Sequence, residues 1–171
     1  MCTMLVRMCL DQTHMHHQMF LLSPPARPTN PFRRAVTIAG AMEMLLTAPG
    51  ADSLRAVSPV TEHPGKMWVV RGERMLPVLP FGQGEQPWHS TPYQSLPRIY
   101  AQNASLEIAW TRTVTERRTI AGDTLVPFLT EGFEGFDIND LYDWIVAERL
   151  LADGAVQLPL VRQTPYAPLG S

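Results

Sequence analysis

Short apolar runs alternate along this chain with stretches of helical periodicity, and this alternation limits the fold more than any other feature. Strands that alternate with helices favour a layered α/β fold with parallel strand pairing. The segment 66–79 instead predicts a hairpin that turns near Gly72, so we expect a mixed sheet. The remaining predicted strands lie at 17–23, 53–60, 104–112 and within 124–139.

Residues 1–12 are predicted to be helical, and the next helix has clear boundary signals. Thr29 or Asn30 could cap it, Pro31 suits its first position, and Gly50 follows its end. Helical spacing predicts a buried stripe, which comprises Val36, Ala39, Met42, Leu45 and Leu46.

The last predicted helix begins at Asp140, continues through Leu151 and ends at Gly154. Its apolar residues recur at helical spacing, so one face should pack inward. That face comprises Leu141, Trp144, Ile145 and Ala147.

The composition argues against several classes of protein. With 171 residues and 45% hydrophobic content, the chain has the size of one domain with a sizeable core. A formal net charge of −2 gives no general attraction to nucleic acid or to anionic lipid. The longest apolar runs are too short to cross a bilayer, and charged residues interrupt the N-terminus where a signal peptide would be apolar. We therefore expect a cytoplasmic protein without nucleic-acid or membrane partners.

Four short polar side chains surround the start of the last helix: Asp137, Asn139, Asp140 and Asp143. One interpretation is helix capping by Asp140, with Asp143 three residues further on. Asp137 and Asn139 would point to the same face at a strand end, and their oxygens could share one Mg²⁺ ion. Capping and metal binding are compatible, because they use different residues.

Two further segments are weaker candidates for sites. PTNPFRR, residues 28–34, combines a helix N-terminus with Arg33, which suits a phosphate or carboxylate; an ordinary helix start with exposed arginines is the simpler interpretation. The histidine tract at 14–17 lacks an acidic or thiol partner at metal-binding spacing. Cys2 and Cys9 form no CxxC pair, so a disulfide framework is not expected.

Four segments carry a resemblance to a known family: PTNPFR at 28–33, HPGKMW at 63–68, QSLPRIYAQNAS at 94–105 and FDINDLYDWIVAERLL at 136–151. In sequence and in order they resemble motifs of the acylneuraminate cytidylyltransferases, which activate sialic-acid-type sugars as CMP conjugates. The first is similar to the family's Pro-Thr-Ser-Pro-Leu-Arg, and the last to its Asp-Ile-Asp-Thr, Asp-Trp and Ala-Glu pattern. The similarity extends over about residues 17–152.

The resemblance implies a Rossmann-like nucleotidyltransferase fold of three layers with a mixed sheet. It also implies transfer of CMP from CTP to an acidic, sialic-acid-like sugar, with release of pyrophosphate, for surface polysaccharide biosynthesis. Arg33, Gln94 and Asn103 match substrate-binding positions of the family, and Asp137 and Asn139 match its two metal-binding aspartates. The implied cofactor is Mg²⁺, and the implied assembly is a homodimer.

The chain departs from the family at its beginning, because nothing matches the opening strand and the glycine-rich basic loop that binds CTP. We therefore expect residues 1–152 to be the C-terminal portion of a cytidylyltransferase-like domain, incomplete at the N-terminus, and residues 153–171 to be a tail. Such a fragment would lack the family's grip on the triphosphate. Asn139 in place of a carboxylate favours the alternative of a non-catalytic α/β sugar-binding or dimerisation module. A transferase that uses another nucleotide also stays open.

Overall fold

The computed structural model describes residues 20–22, 29–83 and 86–160. These residues group into two compact units, of which one comprises residues 58–101 and the other comprises the described residues on either side. In chain order the elements are β1 (Phe20–Leu22), α1 (Ala35–Thr47), β2 (Ser53–Pro59), β3 (Trp68–Arg71), β4 (Arg74–Pro77), β5 (Gly82–Gln83), β6 (Gln86–Pro87), β7 (Tyr100–Trp110), α2 (Thr111–Arg117), β8 (Leu125–Leu129) and α3 (Leu141–Ala152).

A four-stranded sheet with the strand order β1–β7–β2–β8 is the centre of the first unit. β1 runs antiparallel to β7, with Leu21 opposite Ala109. β2 runs parallel to β8, with Leu54 opposite Val126. The sheet is therefore mixed, which confirms the predicted α/β class.

The hydrophobic core forms where α1 meets one face of this sheet. Leu106, Ile108 and Trp110 alternate along β7 and belong to this core, as the two-residue period of a strand allows. Val126 and Phe128 of β8 pack against the same core while half-buried. The core residues are Ala41, Met42, Leu45, Ala51, Leu54, Ala56, Leu106, Ile108 and Trp110.

The start of α1 differs from the prediction. The helix begins at Ala35 rather than at Pro31, and neither Thr29 nor Asn30 caps it. Both residues bind the segment 134–138 instead. The Thr29 carbonyl accepts a backbone hydrogen bond from it at 2.8 Å, and the Asn30 side chain donates one to it at 3.0 Å. These contacts hold the chain in a turn, so the helix can begin only after it.

The buried face of α1 also differs from the prediction in its first turns. The predicted inner positions near its C-terminal end are buried or half-buried, whereas Val36 is 65% exposed and Ala39 is also exposed. Thr37 is buried instead, and its hydroxyl donates a hydrogen bond to the Glu134 carboxylate. A polar contact therefore sets which side of this helix faces inward, and hydrophobic spacing cannot indicate such a contact.

Asp52 fixes the connection between β7 and β8, which includes the unpredicted helix α2. Its Oδ2 accepts hydrogen bonds from the backbone N–H groups of Asp123 at 2.8 Å and Thr124 at 3.1 Å. The Arg117 guanidinium donates to the same oxygen at 3.1 Å. Gly122 has a φ of +72°, and a Cβ there would lie 2.2 Å from Asp52, so this position requires glycine.

α3 has the predicted boundaries but not the predicted inner face. Ala147 is buried as expected, whereas Leu141, Trp144 and Ile145 are 70%, 52% and 53% exposed. The inward prediction for these three residues is wrong, because no described segment covers that side of the helix. Within the described residues, no helix combines the length and apolar character needed to cross a membrane.

The second unit contains the predicted hairpin. β3 and β4 pair antiparallel with Val70 opposite Met75, and Gly72 at their turn has a φ of +59°. Lys66 precedes the hairpin, and its Nζ donates to the backbone carbonyls of His89 at 2.9 Å and Thr91 at 2.6 Å. The lysine therefore has a structural role in joining the hairpin to the following segment.

Candidate functional site

Three segments that are distant in sequence meet in the first unit, and we call them the three-segment cluster: residues 29–34, 103–105 and 130–139. The last of these follows β8, and the Thr130 N–H donates to the Val57 carbonyl of the parallel strand β2 at 3.1 Å. The cluster thus adjoins the carboxyl end of β8. In open α/β sheets this is the edge where ligands bind.

Arg33 is a half-buried cation of this cluster. Its Nη1 donates to the backbone carbonyl of Ser105. No carboxylate of the described residues forms an ion pair with it. Burial lowers the pKa of the Arg33 guanidinium, because desolvation disfavours its charge, although an arginine stays protonated at neutral pH. A half-buried guanidinium with unused donors is suited to a carboxylate or a phosphate.

Asn103 connects β7 to the turn that follows β8. Its Oδ1 accepts a hydrogen bond from the Ser105 N–H at 3.1 Å, and its Nδ2 donates to the Thr130 hydroxyl at 3.0 Å. The backbone of Gly135 packs closely against it, because a Cβ there would lie 2.6 Å from Nδ2. One amide N–H and one lone pair are left over for a ligand, so Asn103 is first of all a structural residue.

Glu134 organises the cluster, and no sequence pattern had indicated a role for it. Its Oε1 accepts hydrogen bonds from the Thr37 hydroxyl at 2.5 Å and from Arg34 Nε at 3.0 Å. Burial raises the pKa of Glu134. The hydrogen bonds from Thr37 and Arg34 lower it by a larger amount, so the pKa of the carboxyl lies below its ordinary value. Thr37 lies 97 residues earlier in the chain, and no local pattern indicates such a pairing.

The polar residues before α3 include a helix cap, as one interpretation predicted. Asp140 Oδ1 accepts a hydrogen bond from the Asp143 N–H at 3.0 Å. In return, Asp143 Oδ2 accepts one from the Asn139 N–H at 2.9 Å. This reciprocal arrangement is a variant of the capping box, so the capping prediction is confirmed for Asp140 and Asp143.

Asp137 and Asn139, the predicted magnesium ligands, lie in the irregular segment between the turn at 132–135 and α3, rather than at a strand end. Their side chains take no part in the cap. Asp137 is half-buried and Asn139 is exposed, with its Nδ2 at 3.5 Å from the Asp137 carbonyl. Among the described residues, no three His, Cys, Asp or Glu side chains could together hold a metal ion. One carboxylate and one amide oxygen nevertheless fit Mg²⁺ that takes its remaining ligands from phosphates and water.

Gln94 belongs to the second unit, whereas the other predicted site residues belong to the first. It lies on the exposed 3₁₀ turn Tyr93–Ser95. A cavity of about 320 Å³ opens beside it, with His63, Arg98 and Tyr100 among its lining residues.

Hydrogen bonds fix the His63 ring in the wall of this cavity. The Gly65 N–H donates to Nδ1 at 3.0 Å, so Nδ1 carries no proton, and Nε2 lies 3.0 Å from the Pro97 carbonyl. The ring is therefore the Nε2–H tautomer. Trp88 and Tyr93 pack against it at centroid distances of 5.7 and 6.0 Å. We interpret His63 as a structural residue of the cavity wall.

The histidine tract at 14–17, both cysteines and the predicted helix over residues 1–12 lie outside the described residues. No protein-family model matches this chain, and no curated protein matches it closely enough to indicate a relationship.

Proposed function

We propose that this chain carries the C-terminal portion of a Rossmann-like nucleotidyltransferase domain of the CMP-sugar synthetase type. In this reaction the anomeric hydroxyl of an acidic, sialic-acid-like sugar attacks the α-phosphate of CTP. The bond between the sugar oxygen and phosphorus forms, the bond to pyrophosphate breaks, and the hydroxyl proton passes to solvent. The proposal includes a cytoplasmic location and a part in surface polysaccharide biosynthesis, as the resemblance implies.

One observation carries this proposal: three of the four family-like segments, which are far apart in the chain, are hydrogen-bonded to one another. The Arg33 guanidinium joins segment 28–33 to Ser105. The Thr29 carbonyl joins the same segment to the N–H of Ile138. Residues that take part in one reaction need such proximity, and an accidental similarity of separate motifs would not require it.

Each residue of the cluster has a role suited to this chemistry. Arg33 would bind an anionic phosphate or the carboxylate of the sugar, because its spare N–H groups match such oxygens. Asn103 would offer its remaining amide N–H to a substrate oxygen. Mg²⁺ held by Asp137 and Asn139 would neutralise charge on the phosphates.

Pyrophosphate release tests the proposal directly. The chain is incubated with CTP, Mg²⁺ and a panel of eight-carbon and nine-carbon acidic sugars. Release with at least one sugar would support the proposal, and Asp137→Asn should then abolish the magnesium-dependent turnover without changing the circular dichroism spectrum. Asp153→Asn is the matched control, because Asp153 is exposed and, within the described residues, its carboxylate pairs with the exposed Arg149 alone.

If the chain is folded but releases no pyrophosphate, binding measurements test the proposal instead. Calorimetric binding of CTP together with the acidic sugar would support the site, and Arg33→Gln should then weaken binding about tenfold, as for the loss of a charged hydrogen bond. If neither CTP nor any acidic sugar binds, the proposed function is wrong for this chain.

The alternative, a sugar-binding or dimerisation module, is favoured by the hairpin of the second unit. Five of its apolar side chains are exposed: Trp68, Val69, Val70, Met75 and Leu76. By strand alternation the first, third and fourth of these lie on one face of the hairpin and the other two on the opposite face. Exposed apolar side chains grouped in this way are typical of an interaction site. Sedimentation at dimer mass, with sugar binding but neither CTP binding nor pyrophosphate release, would favour this alternative. The transferase proposal also expects a homodimer, so mass alone does not separate the two.

A further inference from the structure

A cavity of about 560 Å³ in the first unit has no role in the proposed function. It opens between the residues before α1, the turn after β8 and the chain that follows α3. None of the predicted substrate or metal residues lines it. Its volume lies within the range of about 300–1,000 Å³ that is common for small-molecule sites. The side chains that matter here are Phe32, Arg34, Glu131, Phe133 and Glu134.

The charges of the described residues that line this cavity are negative in sum. Glu131 and Glu134 contribute two carboxylates and Arg34 one guanidinium. Gly154 and Ala155, which follow the C-terminal end of α3, form another wall. A helix C-terminus carries the negative end of the helix dipole, so this wall adds to the attraction for a cation.

The two carboxylate oxygens of Glu134 accept different numbers of hydrogen bonds. Oε1 accepts hydrogen bonds from the Thr37 hydroxyl and from both Nε and Nη2 of Arg34. Among the described residues, Oε2 accepts a hydrogen bond only from the Glu131 N–H, at 3.4 Å. The carboxylate is therefore held rigidly by one oxygen while the other keeps capacity for a further donor. Because the pKa of Glu134 is lowered, this acceptor stays charged at neutral pH.

An aromatic ring and an apolar wall accompany these carboxylates. Phe133 is 40% exposed, whereas Phe32 is buried. The face of an exposed phenylalanine attracts a cation and also packs against a carbon chain. The combination of two carboxylates, a helix C-terminus and an exposed ring is complementary to an ammonium group on a short carbon chain.

We propose that this cavity binds a small organic cation, a primary amine on a short aliphatic chain, with its ammonium group between Glu131 and Glu134 Oε2. The carbon chain would lie against Phe133. Arg34 already pairs with Glu134 Oε1, and its side chain is 61% exposed. It therefore competes with the ligand for Glu134 and limits the affinity. This site adjoins the three-segment cluster through Glu134 but takes a cation, whereas the substrates of the proposed transferase are anions.

The test uses 1,4-diaminobutane as the probe, with butane-1,4-diol as its neutral counterpart and succinate as its diacid counterpart. Amide chemical shifts of the isotope-labelled chain are followed at low salt during titration. We expect saturable binding of the diamine, with the largest shifts at Gly132, Phe133 and Ala155. The diol should bind at least about tenfold more weakly, because it lacks the charge that the carboxylates attract.

Three variants test whether the cavity prefers a positively charged ligand. Glu131→Gln should weaken diamine binding about fivefold, as expected for the loss of one partly exposed charge contact. Glu148→Gln makes the same change of charge at an exposed position of α3 that does not line the cavity, and it should leave binding within about twofold. Arg34→Gln should strengthen binding, because it removes the competing cation.

Several outcomes would overturn the proposal. These are no saturable binding of the diamine, equal weakening by Glu131→Gln and Glu148→Gln, or a preference for succinate that Arg34→Gln abolishes. The Glu131 side chain is exposed, so its replacement leaves the fold intact even if the Arg34 variant is unstable. The outcome with Glu131→Gln and its control is therefore decisive on its own.

Discussion

Single polar side chains join segments of the first unit that are far apart in sequence. Asp52 binds the backbone before β8, Glu134 binds the first turn of α1, and Asn103 binds the turn after β8. Each replaces water with several directed hydrogen bonds, and an unpaired buried partner would cost free energy. The geometry of the candidate site therefore depends on a few residues outside the hydrophobic core.

Gly135 offers the sharpest test at the residue scale. In Gly135→Ala the new Cβ would lie 2.6 Å from Asn103 Nδ2 and 2.7 Å from Thr130 Oγ1, so one contact must open. We expect the free energy of unfolding to fall by about 1–3 kcal/mol, as for overpacking. Urea denaturation measures this change.

Gly40→Ala is the matched control for that experiment. Gly40 lies within α1, and a Cβ there meets nothing within 4 Å. Alanine favours a helix over glycine, so this variant should be more stable by about 0.5–1 kcal/mol. If both variants were equally stable, the turn around Asn103 would be free to shift, and its role in positioning the site would be lost.

At the scale of elements, the stability of α3 depends more on the contacts at its two ends than on the packing of its sides. Ala147 is its one buried residue, so little burial holds this described helix in place. The Asp140 cap begins it, and Gly154, with a φ of +69°, follows its end. A helix of this length is marginal without packing or caps.

Asp140→Ala should therefore destabilise the chain by about 1 kcal/mol, the usual effect of a lost N-cap. Asn139→Ala is the comparison, because Asn139 contributes only its backbone N–H to the capping arrangement and alanine keeps that group. Thermal unfolding without magnesium measures both. Equal losses of stability in the two variants would mean that the Asp140 side chain is not the cap that stabilises α3.

The elements that the sequence predicts well are those with local signals. The hairpin has Gly72 at its turn, and α3 has Asp140 at its start, so both boundaries could be read from neighbouring residues. The start of α1 could not be predicted in this way, because Asn30 and Thr37 form hydrogen bonds with Glu134, which lies 104 and 97 residues away from them. The same distance hides Glu134 from any motif search. The exposed side of α3 shows the other limit, since helical spacing predicts an apolar face but not whether anything covers it.

At the scale of the whole molecule, two carboxylates of the described residues have lowered pKa values and link stability to pH. Backbone hydrogen bonds from Asp123 and then Thr124 lower the pKa of Asp52. Burial raises the pKa of Glu134, but hydrogen bonds from Thr37 and Arg34 lower it below its ordinary value. Both groups bind fewer protons in the folded chain than in the unfolded chain at moderately acidic pH, so acid favours unfolding.

The expected profile of stability against pH follows from these directions. The contribution of each carboxylate is complete above its unfolded-state pKa, about 3.9 for Asp and 4.3 for Glu, and is lost as pH falls through the lower folded-state value. The free energy of unfolding should therefore be nearly constant from pH 7 to about 5 and decrease steeply below that. Glu134→Gln should reduce this slope, because its amide oxygen still accepts from Thr37 and Arg34 but does not titrate. Glu148→Gln, which makes the same change of charge at an exposed position of α3, is the matched control. If the free energy of unfolding decreased in parallel in the wild type and in Glu134→Gln, protonation of this carboxylate would not contribute to unfolding in acid. The charge of Glu134 would then not be what holds α1 to the turn after β8.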